Sequence, residues 1–366
     1  MSAEPIQLIP LDPGGNPAET ARRVIEFLDA AQSTLELALY DVRLPDPIGT
    51  QVREAIEGAA ARGVEVRLAY NDEREERKIA AGGLERGAVP PFLAIPPPPI
   101  TERDLIESLA VPTKGIPGIP DLMHHKYVVR DGRSVWTGST NWTQDAWSLQ
   151  ENVIATVESE AVAGAYRQNF EELWSTGQVD RSGFVEPRPI DVGGVEVRTW
   201  FTPGQGRDLS HRIAEAIGRA TRRVRIASPV ITAGPILGTL AQEAGEGRLD
   251  LAGVVDGPQT AQVFRQWAEN PRSAWKVPLL ATILREAPFT GKPSTPYAPG
   301  RPHDYMHAKV TVADDVVFCG SFNLSRSGEL NAENVLEIHD AALAEQMATQ
   351  IDAIRARYPA VPGLDR

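Results

Sequence analysis

Apolar and polar positions follow a pattern along this chain that occurs twice. An extended apolar run at 7–14 ends in a Pro-Gly turn, helical spacing covers 19–32, and strand-like runs at 34–40 and 64–70 flank a helix over 48–62. The same order recurs at 197–204, 208–221, 223–229, 236–246 and 249–255. Strands alternating with helices of about ten to fifteen residues are typical of a layered α/β unit with largely parallel strands.

The repeat predicts an α/β fold of two similar units, each an α/β/α sandwich with a mixed, largely parallel sheet. We place the units at 1–185 and 186–366, joined through the Gly- and Pro-containing stretch 180–194. Each unit also contains a Pro- and Gly-rich segment, at 82–120 and 288–302. Such long segments are typical of lids or binding loops, with flexible spacers as the alternative.

The same set of polar residues follows each Pro- and Gly-rich segment. The first copy contains His124, Lys126, Asp131, Gly138, Ser139, Asn141 and Glu151, and the second contains His307, Lys309, Asp314, Gly320, Ser321, Asn323 and Glu333. The His-to-Lys, Lys-to-Asp and Asn-to-Glu intervals are identical in the two copies. The Asp-to-Gly interval is one residue shorter in the second copy, a difference that a hairpin turn can absorb.

Strand alternation predicts how these side chains meet. On a strand, His124 and Lys126 project to one face while His125 faces the other, which favours a structural role for His125. A returning strand at 134–137 would bring the Gly-Ser-x-Asn segment beside them. Imidazole, ammonium, hydroxyl and amide groups together supply what a phosphodiester reaction needs, namely a nucleophile, donors to the phosphoryl oxygens and an acid for the leaving oxygen.

These paired motifs resemble the His-x-Lys-x4-Asp (HKD) motifs of the phospholipase D superfamily, and the resemblance covers nearly the whole chain. It implies that the two units pack about a pseudo-twofold axis and that both motifs form one active site. In that family one His attacks phosphorus to give a covalent phosphohistidine, the other protonates the leaving oxygen, and water or an alcohol releases the product. The resemblance implies no metal and no cofactor.

The resemblance also implies a role for each matching residue. His124 would be the nucleophile and His307 the general acid, although the reverse order stays open. The phosphoryl oxygens would be bound by Lys126, Lys309, Asn141 and Asn323, with Ser139 and Ser321 as further donors. Glu151 and Glu333 would lie behind the imidazoles, and Asp131, Asp314, Gly138 and Gly320 would support the motif backbone.

Composition limits the class of protein. A net charge of -12 over 366 residues argues against indiscriminate binding to nucleic acid or anionic lipid, although a basic groove inside an acidic surface stays open. The single Cys319 can form neither an internal disulfide nor a thiolate cluster for zinc. No apolar run approaches the length of a membrane span, and 1–7 lacks the pattern of a secretory signal. We therefore predict a cytoplasmic protein with no integral membrane segment.

Three substrate hypotheses remain at this stage. The segment 137–143, with 151–153, resembles the small bacterial endonucleases of the superfamily, which favours a nuclease. A phospholipase D or phosphatidyl transferase is the alternative, although the sequence has no amphipathic anchor with a basic face. A non-catalytic phosphate-binding scaffold is the third. Because both motifs lie in one chain, an oligomer is not required for a complete site.

Overall fold

The structure is a computed structural model that describes residues 4–72, 104–296, 301 and 303–361. The predicted loop segments at 82–120 and 288–302 therefore lie partly outside the described residues. In the described part of those segments, the chain forms short elements as well as loops.

The N-terminal unit is built on one seven-stranded sheet. Its strands and those of a small two-stranded sheet are β1 (Ile6–Leu11), β2 (Thr34–Leu39), β3 (Val42–Arg43), β4 (Glu65–Asp72), β5 (Thr113–Pro117), β6 (Lys126–Arg130), β7 (Ser134–Gly138), β8 (Trp142–Thr143) and β9 (Asn152–Glu158). Its described helices are α1 (Pro17–Asp29), α2 (Ile48–Ala61), α3 (Asp104–Ser108), α4 (Gln144–Ser148) and α5 (Glu160–Thr176). The strand order is β1-β9-β7-β6-β2-β4-β5.

The C-terminal unit repeats this arrangement with one additional edge strand. Its strands are β10 (Ile190–Val192), β11 (Val195–Phe201), β12 (Arg223–Ala227), β13 (Asp250–Asp256), β14 (Phe289–Lys292), β15 (Val310–Ala313), β16 (Val316–Gly320) and β17 (Asn334–His339). Its described helices are α6 (Gly206–Arg219), α7 (Gly234–Glu246), α8 (Gly257–Glu269), α9 (Val277–Glu286), α10 (Arg326–Leu330) and α11 (Ala341–Arg355). The strand order is β10-β11-β17-β16-β15-β12-β13-β14.

The two-unit α/β prediction is confirmed, and strand direction refines it. Among the described strands most point the same way, but only β2/β4, β4/β5, β12/β13 and β13/β14 are parallel neighbours within these two sheets, and the remaining adjacent pairs are antiparallel. The sheets are mixed as predicted, with most strands sharing one direction although most adjacent pairs are antiparallel. The motif strands β6 and β7, like β15 and β16, are joined by tight turns, which require antiparallel pairing, whereas parallel neighbours need a long crossover.

Helices α8 and α9 had no counterpart in the sequence prediction. They occupy 257–286, between the predicted strand at 249–255 and the predicted loop segment at 288–302, where no element was predicted. Helix α8 begins at an effective cap, because the Asp256 side chain accepts a hydrogen bond from the Gln259 N–H and Pro258 occupies the first turn.

The two sheets enclose one shared apolar core. Helices α5 and α11 lie between the units, and side chains such as Tyr166 and Ile351 pack there with residues of both sheets, including Val135 and Leu336. The other main helices cover the outer faces, α1 and α2 over the first sheet and α6, α7 and α9 over the second. The predicted division at 185 falls outside both sheets, and the shared core means that the units pack as one body.

No helix in the described part of the chain is long and apolar enough to cross a bilayer.

Candidate active site

The motif lysines lie at the start of two equivalent hairpins, one in each unit. Lys126 is the first residue of β6, and Lys309 directly precedes β15. Each ammonium donates a hydrogen bond to the backbone carbonyl of its own motif histidine, with Nζ–O distances of 2.5 Å to His124 and 2.6 Å to His307. Both side chains are buried, so these cations are held against the histidines and are shielded from bulk water.

The two motifs meet across the interface between the units. The His124 N–H donates to the Ala332 carbonyl at 2.9 Å, and the His307 N–H donates to the Glu151 carbonyl at 3.1 Å. Short parallel bridges join Met123 to Ala332 and Glu151 to Met306 in the same reciprocal way. These contacts relate the two motifs by approximate twofold symmetry, and each motif histidine is held by the other unit.

The side-chain partner of His124 is a carboxylate. His124 Nδ1 lies 2.8 Å and 2.7 Å from the two carboxylate oxygens of Glu333, which is buried. The edge of the Tyr40 ring packs against the imidazole, with ring centroids 4.5 Å apart. Burial raises the pKa of the Glu333 carboxyl to about 8. In its ionised form this group only accepts, which favours the tautomer with hydrogen on Nδ1 and leaves Nε2 as the nitrogen able to react.

The side-chain partner of His307 is an amide, and the expectation for Glu151 is wrong. His307 Nδ1 lies 3.0 Å from Asn152 Oδ1. The Glu151 carboxylate instead forms a buried ion pair with Lys292, with an Nζ–O distance of 2.7 Å, and accepts a hydrogen bond from the Tyr358 hydroxyl. Glu151 therefore ties β14 and the chain after α11 to the first motif and does not contact the imidazole through its side chain.

A register difference of one residue explains this correction. Gly138 pairs with Ile154 in the first unit, whereas Gly320 pairs with Val335 in the second. The structural counterpart of Glu333 is consequently Asn152. Successive side chains on a strand point to opposite faces, so a shift of one residue turns Glu151 away from the site.

The serines of the Gly-Ser-x-Asn segments support the partners of the imidazoles. Ser139 Oγ donates to Asn152 Oδ1 at 2.7 Å, and a hydrogen bond from Ser321 reaches Glu333. Both hydroxyls are fully buried. We therefore correct the expectation that Ser139 and Ser321 donate to the phosphoryl group, because their hydrogens are used behind the histidines.

The motif asparagines remain available for a substrate. Asn141 and Asn323 follow the Gly-Ser turns and are partly exposed. Asn141 Oδ1 is buried and has no hydrogen-bond partner among the described residues. A buried amide group without a hydrogen-bond partner costs free energy unless a ligand supplies the bond. If the amide rotates so that Nδ2 takes the place of Oδ1, it can donate to a bound phosphate.

The motif aspartates lie in the hairpin turns, away from the imidazoles. Asp131 and Asp314 have left-handed φ angles of 56° and 51°. The Asp131 carboxylate accepts backbone hydrogen bonds from 32–34, and that of Asp314 accepts them from 221–223. Partial burial opposes ionisation, but these donors hold the pKa of each carboxyl below its usual value. Both side chains fasten their hairpin to the preceding helix–strand turn.

The motif glycines are required by close backbone packing. A Cβ at Gly138 would lie 2.1 Å from the Val153 carbonyl oxygen, and a Cβ at Gly320 would lie 2.1 Å from that of Asn334. Any side chain at these positions would push apart the two strands that carry the site.

Asn71 and Asp256 are a further pair of supporting residues that the motif spacing does not indicate. Asn71 Oδ1 accepts a hydrogen bond from the Met123 N–H at 3.0 Å, and Asp256 Oδ2 accepts one from the Met306 N–H at 3.1 Å. Each polar side chain lies at the end of a parallel strand and holds the residue before a motif histidine. Only their place at equivalent strand ends, β4 and β13, could have indicated this role.

Burial controls the charges of the ligand-free site. It lowers the pKa values of His124 and His307 well below the usual range, and the two motif ammonium groups add to that shift. It also lowers the pKa of Lys126 to about 7, against the opposing effect of Glu333, and lowers that of Lys309 well below its ordinary value. A bound phosphodiester anion favours the charged forms of these groups, so binding is coupled to proton uptake.

We expect the affinity for a phosphodiester to weaken as the pH rises above about 7. Charged lysines would attract the anion. Because burial holds the free-state pKa of Lys126 at about 7, its charge would have to be restored on binding at higher pH. Each proton taken up weakens binding about tenfold per pH unit. Calorimetric titration with dimethyl phosphate, a diester that keeps one negative charge throughout, measures the slope.

The matched variant is Lys126→Arg, because guanidinium stays charged over this range. We expect this variant to take up one proton fewer on binding, which makes the affinity depend less steeply on pH. An affinity that does not change between about pH 6 and about pH 9 in the wild-type protein would contradict the proposed lysine titration.

One family model matches both units of the chain. The family model described as cardiolipin synthase, PLD-like domain, matches residues 24–174 and again 213–355, once in each unit. The two matches cover most of the chain. The chain belongs to the phospholipase D superfamily. Enzymes of this superfamily break or exchange phosphodiester bonds.

Curated relatives cover only part of the chain. The mitochondrial cardiolipin hydrolase of Xenopus tropicalis is 30% identical over 152 residues, which is 42% of this chain and 60% of that protein. The human mitochondrial cardiolipin hydrolase is 25% identical over 187 residues, which is 49% of this chain and 63% of that protein. The chain thus spans less than two thirds of each of these relatives.

Solved structures share the complete two-unit fold. The phosphatidylserine synthase of Haemophilus influenzae superposes with a TM-score of 0.61 at 15% identity, covering 98% of this chain and 87% of that one. The polyphosphate kinase of Porphyromonas gingivalis superposes with a TM-score of 0.57 at 12% identity, covering 96% of this chain and 50% of that one. At these identities the similarity establishes the fold alone.

Proposed function

We propose that this phospholipase D superfamily member is a phosphodiesterase that acts through a covalent phosphohistidine at His124. The observation that carries the proposal is the buried cluster formed across the interface by two imidazoles and two ammonium groups. Such a cluster offers a nucleophile, a proton donor and cations for the phosphoryl oxygens within one chain.

The proposed reaction has two displacements. Nε2 of neutral His124 attacks phosphorus, the bond to the leaving oxygen breaks, and the His307 imidazolium gives its proton to that oxygen. Water then gives a proton to His307, forms the new P–O bond and breaks the N–P bond, so both histidines return to their starting states. Lys126 and Lys309 bind the non-bridging oxygens, which places positive charge where negative charge develops. We expect no metal to be required for either step.

A nucleic-acid strand is the first candidate substrate. The motif tail at 137–143 resembles that of small endonucleases. In the described part of the chain, only Phe184, Trp275 and Leu330 are large apolar side chains that are exposed. Insertion into a bilayer surface usually needs a larger apolar area than this, which favours a soluble polyanion over a membrane lipid.

A phospholipid is the second candidate, and the comparisons favour it specifically. The family model and the curated relatives carry names that refer to cardiolipin, and one solved structure is a phosphatidylserine synthase. The net charge of -12 gives the protein no general attraction for nucleic acid or for anionic lipid, so it does not separate the two candidates. Both substrates contain the same phosphodiester, and the groups around the site decide between them.

The substrate is tested by incubating the protein in EDTA with single-stranded DNA, RNA, and vesicles of phosphatidylcholine or cardiolipin. We expect cleavage of at least one nucleic acid to persist in EDTA and to disappear in a His124→Ala/His307→Ala double variant, which controls for contaminating nucleases. Turnover of lipid alone would select the second candidate. Activity that is lost in EDTA would reject the metal-independent mechanism, and inactivity on every substrate would leave the scaffold hypothesis.

A further inference from the structure

The two motif histidines have chemically different partners, although the motifs themselves are nearly identical. Glu333 places a carboxylate 2.7 Å from His124 Nδ1, whereas Asn152 places a neutral amide oxygen 3.0 Å from His307 Nδ1. These two partners occupy equivalent positions at the starts of β17 and β9. The approximate symmetry of the site is therefore broken in chemistry, because Glu333 can carry a negative charge and Asn152 cannot.

The orientation of the Asn152 amide is fixed by its other contacts. Nδ2 donates to the Ala146 backbone carbonyl at 3.1 Å, and a carbonyl can only accept. Oδ1 must then face Ser139 Oγ and the imidazole of His307, at 2.7 Å and 3.0 Å. Because an amide oxygen also only accepts, Nδ1 of His307 carries the hydrogen and Nε2 is left to exchange a proton with a substrate.

No carboxylate stabilises a positive charge on His307 in the described part of the chain. The charged groups that act on it are Lys309, Lys126 and His124, and each disfavours the imidazolium form. A hydrogen bond with the Ser139 backbone acts in the opposite direction. The nearby carboxylate, Glu151, is paired with Lys292 and Tyr358.

We infer that Asn152 is a positioning residue for His307, and that the amide behind His307 and the carboxylate behind His124 assign the two imidazoles their unequal roles. This inference rests on the proposed phosphohistidine mechanism. In the first displacement His124 gains positive charge as the N–P bond forms, and His307 loses positive charge as it gives up its proton. A carboxylate stabilises the first change, and a carboxylate behind His307 would oppose the second.

The amide behind His307 also affects the general acid before the reaction begins. An imidazolium held by a neutral amide releases its proton more readily than one held by a carboxylate. Asn152 thus orients His307 without making it a weaker acid. Glu333 orients His124 and also stabilises the phosphoimidazolium, which carries a positive charge through the intermediate.

The direct test is Asn152→Asp, which keeps the shape of the side chain and adds a carboxylate behind His307. Histidine-selective NMR can follow the titration, because the chain contains only six histidines, and a His307→Gln spectrum assigns the signal. We expect the pKa of His307 to rise by about 1–3 units, as an adjacent opposite charge causes. In the profile of kcat against pH, the decrease at high pH reports loss of the proton from the general acid. This decrease should move to higher pH by the same amount.

Two variants control for trivial effects. Asn152→Ala removes the acceptor without adding charge, and we expect no upward shift. Asn16→Asp makes the same chemical change at the exposed cap of α1, where Asp accepts the Ala18 N–H equally well, and should leave the titration unchanged. An unchanged His307 titration in Asn152→Asp, or an equal upward shift in Asn152→Ala, would overturn the positioning role.

The assignment of roles has its own readout. We expect Glu333→Gln to lower kcat more than Asn152→Asp does, because only Glu333 stabilises the charge formed during attack. The opposite order would overturn the assignment. If the wild-type protein cleaves no phosphodiester, the proposed function fails, but the NMR titration still decides whether Asn152 orients and tunes His307.

Discussion

His124→Ala is expected to lower kcat by about four orders of magnitude or more, because the variant lacks the imidazole that attacks phosphorus and that Glu333 holds through Nδ1. Without the nucleophile, only direct attack by water on the substrate remains. Substrate binding and electrostatic stabilisation in the site still assist that reaction. The measurement is steady-state cleavage of the substrate identified above, in EDTA, with the variant and wild-type proteins at matched concentration.

The control for His124→Ala is His211→Ala. His211 lies on α6 and is exposed, so the same substitution there should leave kcat unchanged. Circular dichroism and thermal unfolding verify that His124→Ala is folded, since its imidazole is buried against Tyr40. A folded His124→Ala protein with wild-type kcat would reject the covalent mechanism outright.

The sequence predicts the motif chemistry well because spacing on a strand determines which side chains share a face. His124 and Lys126 are two residues apart, as are His307 and Lys309, and each pair forms the same lysine-to-carbonyl hydrogen bond. The repeat of this spacing in both halves is also what predicts two similar units. Local periodicity carries this information without any knowledge of tertiary contacts.

The register of β9 is where the sequence misleads. The tripeptides Glu151-Asn152-Val153 and Glu333-Asn334-Val335 are identical, so they align naturally with each other. In the folded chain the connection after the first Gly-Ser turn is one residue longer, and Asn152 takes the place of Glu333. Pairing partners across a sheet determine this register, and no local pattern in the chain records them.

Contacts between distant segments of the chain also cannot be predicted from local sequence patterns. Glu151 is paired with Lys292 and Tyr358, more than a hundred residues away along the chain. Helices α8 and α9 similarly occupy a region for which the sequence patterns predicted no element. The grouping of the motif His and Lys residues was thus predictable from repeated spacing, whereas the asymmetry between the two halves of the site depends on long-range packing.

A change in the time course of the reaction is expected for the His307→Gln variant when its substrate has a good leaving group. A p-nitrophenyl phosphodiester needs no general acid, so His124 should still attack it, but the variant has no base to activate water for the second displacement. We expect a burst of about one equivalent of p-nitrophenolate, followed by slow turnover, because the covalent intermediate accumulates.

The trapped intermediate also decides which histidine is the nucleophile. Acid-labile label on His124, located by mass spectrometry of a rapidly quenched and digested sample, is the expected result. The reciprocal variant, His124→Gln, should give no burst with the same substrate, because His307 has only the Asn152 amide behind it and no carboxylate to stabilise a phosphoimidazolium. A burst from His124→Gln with label on His307 would reverse the two roles. Label on a serine or an aspartate would replace the phosphohistidine with a different covalent chemistry.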